Sequence, residues 1–144
     1  MIALLDVNFL IALGDADHVH SEAALRFFSD HALRSGWATC PLTENAFLRI
    51  FGHPNYEGGP GNAAAARRVL LSIITNSGHQ FWPDDISLAN PKTYPELPPP
   101  KGLTDIYLLA LATKKRGRFV TFDRRIDPSL VPGGPTAFHL LQSS

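Results

Sequence analysis

An α/β fold built on a mostly parallel sheet is what this 144-residue sequence predicts. Two apolar strand-like runs, Met1-Ile2-Ala3-Leu4-Leu5 and Phe119-Val120-Thr121-Phe122, each end on an aspartate, Asp6 and Asp123. Between them, stretches with helical apolar spacing alternate with short strand-like runs, the pattern of parallel strands joined by right-handed crossovers. No internal repeat or long linker interrupts it, so residues 1–144 are expected to form one domain. That length is ample for a single core.

The elements follow in order. Residues 2–5 read as a short buried strand, and Asn8 to Leu13 begins a helix that Gly14 stops. His20 to Ser35 has helical spacing, with Ala24, Phe27, Phe28 and Ala32 on one side and Glu22, Arg26 and Asp30 elsewhere. Gly36 ends it, and Gly36 to Cys40 reads as a strand. Pro41 marks a turn before Thr43, the expected cap of a helix running to about Phe51. A Gly/Pro/Asn-rich loop, Gly52 to Gly61, precedes a helix from Ala63 to Asn76 and a strand from His79 to Trp82. The stretch 83–103 holds Pro91, Pro95, Pro98, Pro99 and Pro100. It is expected to form one helical turn near Ile86 to Ala89 and then an extended surface segment. Leu103 to Lys115 is the next helix, Arg118 to Phe122 the next strand, and Phe138 to Leu141 a final edge strand.

Composition narrows the function. Acids and bases balance at 13 each, but six bases (Lys114, Lys115, Arg116, Arg118, Arg124, Arg125) flank the Asp123 strand. Bases beside an acidic pocket suit a phosphodiester substrate, although cations also favour helix C-termini for electrostatic reasons alone. Cys40 is the only cysteine, so no intrachain disulfide can form, and a reducing, cytoplasmic compartment is expected. Cys40 reads as a small buried residue rather than a nucleophile. The N-terminus lacks a basic leader and meets Asp6 at once, and no apolar stretch approaches membrane-spanning length.

The placement of four acids carries the chemistry. Asp6 and Asp123 follow strands, while Glu44 and Asp105 each follow a threonine at the start of an apolar helix. Such positions lie on the rim where an open α/β sheet binds ligands. Carboxylates converging there repel one another unless a cation holds them, which points to a divalent-metal site. Singly, each acid also fits a plainer role, in a helix's first turn or at the start of a backbone turn. Asn8 is placed either to orient Asp6 or a water, or to cap its helix. Thr121 lies on the same face of its strand as Asp123 and could hydrogen-bond a carboxylate. Asp127, before Pro128, reads as a cap. His18 and His20 lack a third partner for zinc, and neither a nucleophile elbow nor a phosphate-binding P-loop is present.

These motifs resemble those of the PIN-domain ribonucleases: Leu4-Leu5-Asp6-Val7-Asn8-Phe9-Leu10, Thr43-Glu44-Asn45, Leu103-Thr104-Asp105-Ile106-Tyr107, and Thr121-Phe122-Asp123. The compact length resembles the VapC-type toxins of toxin–antitoxin pairs. The resemblance implies a three-layer α/β/α sandwich and an endoribonuclease dependent on Mg²⁺, with Mn²⁺ as a substitute, that leaves a 5′-phosphate and a 3′-hydroxyl. It implies Asp6, Glu44, Asp105 and Asp123 as the catalytic acids, with Asp6, Asp105 and Asp123 on metal. Glu44 is implied to bind metal or orient the attacking water, and Asn8 and Thr121 match supporting polar positions. Arg118, Arg124 and Arg125 are candidates to hold flanking phosphates. Further expectations are an RNA substrate with an exposed loop, a cognate small antitoxin and a homodimer. Val7 departs from the pattern, where a small hydroxyl residue is common.

Two other readings compete. A phosphatase of the Asp-x-Asp type needs a second acid where this chain has Asn8. A catalytically silent, partner-binding scaffold of the same fold requires none of the acids to act.

Overall fold

The computed structural model describes residues 1–143, which leaves Ser144 of the expected domain outside the described residues. Strand β1 (Ala3–Leu5) leads into α1 (Val7–Gly14). The chain returns through α2 (Ser21–Phe27), a π-helical turn (Phe28–Ala32) and α3 (Leu33–Ser35) to β2 (Trp37–Thr39). Helices α4 (Pro41–Phe51) and α5 (Ala63–Ile74) connect to β3 (His79–Phe81). Helix α6 (Leu103–Lys114) precedes β4 (Arg118–Thr121), and α7 (Gly134–Ala137) precedes β5 (Phe138–Leu140).

All five strands join one sheet in the order β3-β2-β1-β4-β5, and every pairing is parallel. Strand alternation sorts side chains onto two cores. Ala3, Leu5, Trp37 and Val120 pack with residues of α1, α2, α4 and α5 on one face. Leu4, Ala38 and Phe119 pack with Leu108, Leu109 and Leu111 of α6 and Ala137 of α7 on the other. The result is the expected three-layer α/β/α sandwich.

The chain winds outward from β1 to β3, then crosses back to β4 on the opposite side of β1. That reversal opens a crevice beyond the carboxyl ends of β1 and β4, where open α/β sheets place their ligands.

Three local expectations need correction. Helix α4 starts at Pro41 with Cys40 at the cap position, rather than at Thr43. Proline suits the first helical position because its missing N–H has no helical partner there in any case. Thr43 still closes the turn, accepting from the Cys40 N–H at 3.0 Å and donating to the Cys40 carbonyl at 3.1 Å. Residues 86–89 form no helix, only a turn at positions 88–89. The segment from Ser21 to Ser35 stays helical but passes through the π turn, and Gly36 ends it at φ 96°.

Gly117 sits where the turn after α6 meets the start of β1. A Cβ there would lie 2.5 Å from the Ile2 carbonyl oxygen and 2.8 Å from the Trp82 ring. Backbone on one side and a buried indole on the other leave no room to give. Gly117→Ala is therefore expected to cost about 1–3 kcal/mol, the scale of overpacking, read as a lower denaturant midpoint with unchanged slope. An unchanged midpoint would show that this junction is looser than it looks.

Candidate active site

Asp6, Asp105 and Asp123 reach the crevice by three local devices. Asp6 ends β1 and caps α1, its Oδ1 accepting from the Val7 N–H at 2.7 Å. Its backbone N–H donates to the Val120 carbonyl at 3.0 Å, which ties it to the end of β4. Asp105 occupies the first turn of α6. Asp123 follows β4, and its N–H donates to Thr121 Oγ1 at 3.0 Å.

Thr121 joins two of the acids. Fully buried, it donates its hydroxyl to Asp6 Oδ2 at 2.6 Å while accepting from the Asp123 backbone. Asn8 is exposed in the first turn of α1, and Asp6 rather than Asn8 caps that helix.

The electrostatics follow from this crowding. Burial pushes the Asp6 carboxyl above its ordinary range, the Thr121 and Val7 hydrogen bonds oppose this, and the Asp123 charge adds to the rise. Asp105 is pushed up to about 7, by burial first and then by the charges of Asp6 and Asp123, with only the Arg125 charge opposing. Asp123 goes the other way. Arg125 clasps it through Nε to Oδ1 and Nη2 to Oδ2, both at 3.1 Å, and through its backbone N–H at 2.9 Å. Those bonds hold Asp123 below the usual carboxylate range.

Glu44 has partners of its own. It begins α4, one strand over, and its Oε2 accepts from Thr39 Oγ1 at 2.7 Å. Thr39 Oγ1 also lies 2.8 Å from His79 Nε2.

The bases divide. Arg124 and Arg125 are exposed beside Asp123. Arg118 is at the opposite end of β4, roughly 16 Å away along an extended chain. Its guanidinium lies over the Phe27 ring at 5.3 Å, and its Nη1 is 2.9 Å from His139 Nδ1. Lys114 and Lys115 end α6, far from Asp105, and both pair with Asp85. Of the bases named from the sequence, Arg124 and Arg125 remain near the acids. Cys40 is buried, and its thiol is pushed up to about 11 by that burial. It is no nucleophile.

Asp105 and Asp123 form the polar end of a cleft of about 560 Å³. Leu97, Pro98 and Pro99 wall one side, and Ile126 and Leu130 contribute apolar lining. Lys101 stands at the same cleft. The proline-rich segment therefore lines the edge of the candidate site. Lys101 was not among the sequence candidates, although Pro100-Lys101-Gly102 leads directly into the Asp105 helix.

The acids suit a hard divalent cation, which takes a few carboxylate oxygens and keeps several waters. Among the described residues, no three His, Cys, Asp or Glu side chains are grouped closely enough to hold a metal ion together as they stand. A guanidinium instead occupies the place of a cation against Asp123. The set has the charge and oxygen chemistry for such an ion, and Arg125 is bonded to both Asp123 oxygens.

Sequence comparison gives this geometry its family. A family model described as PIN domain matches residues 3–128. The chain belongs to the PIN domain family. Among its relatives, Ribonuclease VapC44 of Mycobacterium tuberculosis is 43% identical over 142 residues, covering 97% of this chain and 98% of that protein. Ribonuclease VapC39 of the same organism is 39% identical over 135 residues, covering 92% and 96%. The crystal structure of VapBC2 from Rickettsia felis, bound to a DNA fragment from their promoter, matches with a TM-score of 0.61. It covers 98% of both chains at 9% identity, a likeness of fold.

The crowding of these acids has a measurable cost. The folded protein keeps a proton on Asp105 up to about pH 7. The unfolded chain releases that proton at about 3.9. Between those values the native state binds more protons than the unfolded one, so this group makes stability fall as pH rises. In metal-free buffer, Asp105→Asn is expected to melt above wild type at about pH 8 and level with it at about pH 4. Melting curves at the two values check this, and a constant difference would contradict it.

Proposed function

We propose that this chain is a divalent-metal-dependent endoribonuclease, the toxin of a toxin–antitoxin pair. The observation that carries the reading is the crowding of Asp6, Asp105 and Asp123 in the crevice between β1 and β4, with one of them pushed up to about 7. Carboxylates with perturbed acidity gathered in a cleft are the usual mark of a functional site. The near full-length likeness to proteins named as VapC ribonucleases supports RNA as the substrate.

In this reading Asp6, Asp105 and Asp123 would hold Mg²⁺ or Mn²⁺. When bound, such an ion lowers the pKa of the attacking water and offsets charge on the phosphate and the leaving oxygen. The residues of the chain do the rest. Thr121 and the Val7 N–H fix the Asp6 carboxylate so that it faces the crevice in one orientation. Glu44, held by Thr39, orients the attacking water. With Asp123 holding such an ion, Arg125 would be free to bind a substrate phosphate, and Arg124 and Lys101 hold phosphates to either side. Single-stranded RNA lies along the cleft, because only unstacked bases offer their faces to a shallow apolar wall. A loop in a structured cytoplasmic RNA meets that need. The cleavage leaves a 5′-phosphate and a 3′-hydroxyl. A homodimer and a small cognate antitoxin that covers the crevice complete the proposal.

Arg125's hold on Asp123 is the observation that favours the other reading, a silent partner-binding scaffold. Cleavage of total cellular RNA over a Mg²⁺ and Mn²⁺ titration separates the two. Wild type is expected to give discrete metal-dependent fragments. Asp105→Asn is expected to be slower on the order of 100-fold or more, as for the loss of several kcal/mol of transition-state stabilisation. Equal cleavage by the variant would refute the assigned site, and activity that no small neighbouring gene product suppresses would refute the toxin assignment.

Arg125→Ala should bind Mn²⁺ more tightly by roughly three- to fivefold, the scale of an exposed ion pair. The same change should raise the KM for RNA. Calorimetry and steady-state kinetics read the two effects, and an unchanged Mn²⁺ affinity would show that Arg125 does not compete for Asp123.

A further inference from the structure

We infer that Thr39 and His79 are positioning residues for Glu44, linked in a directional chain from His79 Nε2–H to Thr39 Oγ1–H to Glu44 Oε2. The inference rests on the reading that Glu44 acts in RNA cleavage, and it adds two residues that no motif in the sequence marks.

The chemistry of the donors fixes the direction. An ionised carboxylate only accepts hydrogen bonds, and a hydroxyl has a single proton to give. Thr39 Oγ1 lies 2.7 Å from Glu44 Oε2, so its proton goes there. Towards His79 Nε2, at 2.8 Å, the same oxygen must then accept. His79 therefore carries a proton on Nε2, whichever state Nδ1 is in.

The packing makes this chain rigid. Thr39 is fully buried at the end of β2, so it has no water with which to exchange its partners. His79 lies opposite Trp37 in the β2–β3 register, which puts its side chain on the face shared by Trp37 and Thr39. Its ring packs on the Trp37 indole with centroids 4.7 Å apart. Trp37 is itself buried and anchored, donating from Nε1 to the Ser77 carbonyl at 3.0 Å. Core packing thus locates the imidazole, the imidazole orients the hydroxyl, and the hydroxyl selects one position for Glu44. Asp6 is held by Thr121 in the same manner one pair of strands away. Each carboxylate is steered by a buried threonine on the end of a strand.

The test combines a tautomer measurement with kinetics. Nitrogen-15 NMR of the His79 ring in wild type at about pH 8 should show Nε2 protonated and Nδ1 bare, and Thr39→Val should lose that preference. In RNA cleavage, Thr39→Val should lower kcat about tenfold or more, as for a lost hydrogen bond to a charged group, with KM little changed. Thr39→Ser keeps the hydroxyl and should recover most of the loss. His79→Gln, whose amide can donate in place of Nε2, should outperform His79→Leu. A bare Nε2 in wild type, or Thr39→Val as fast as wild type, or Thr39→Ser no better than Thr39→Val, would overturn the inference. Wild-type protein that cleaves no RNA would instead overturn the nuclease reading, and the tautomer would still decide whether the chain to Glu44 exists.

Discussion

Burial of carboxylates beside one another is the constraint on which this site depends, with burial first and neighbouring charge second in raising Asp105. Asp6, Asp105 and Asp123 meet where β1 and β4 end, and each meets the others under different terms. Asp6 is buried but satisfied by the Val7 N–H and the Thr121 hydroxyl. Asp123 is neutralised by Arg125. Asp105 has neither comfort, and it is the one whose carboxyl is pushed up to about 7. In the proposed reading, that imbalance makes Asp105 the group that gains most from a cation. Arg125 offsets the charge of Asp123 and opposes the rise of Asp105.

The sheet order makes the encounter unavoidable. Winding outward through β2 and β3 and then returning to the far side of β1 leaves Asp6 in the centre of the rim. Helix α6, which fills that return on one face, delivers Asp105 with its first turn. Leu108, Leu109 and Leu111 bury that helix against Leu4 and Phe119, so Asp105 cannot retreat without unpacking a core. Stability is spent on placing charges together, the usual bargain at functional sites.

Much of this was legible in the residues, for particular reasons. Strands ending in Asp6 and Asp123 advertise the rim, and period-2 alternation is enough to aim Thr121 at it. The edge strand Phe138–Leu140 and the parallel order follow from alternation of strand and helix patterns. What failed needed distances along elements or partners across them. Arg118 is close to Asp123 in sequence but at the other end of the strand, held by Phe27 and His139. Lys114 and Lys115 looked available until the loop after β3 brought Asp85 to them. The proline-rich segment reads as featureless because prolines erase periodicity, yet Leu97 to Pro99 wall the cleft. Thr39 and His79 meet only through the register of β2 with β3, which no local pattern encodes.

If the acids hold a cation as proposed, Asp105, pushed up to about 7, is a group that must give up its proton when the ion binds. Calorimetric titration of Mn²⁺ into metal-free protein at about pH 6.5, in two buffers of different ionisation enthalpy, tests it directly, because cation binding to a protonated carboxylate must expel the proton. Saturable binding is expected in wild type, with clearly more proton release than in Asp105→Asn, where only Asp6 still has a raised carboxyl. Absence of binding, or binding with the same proton release in both proteins, would contradict it.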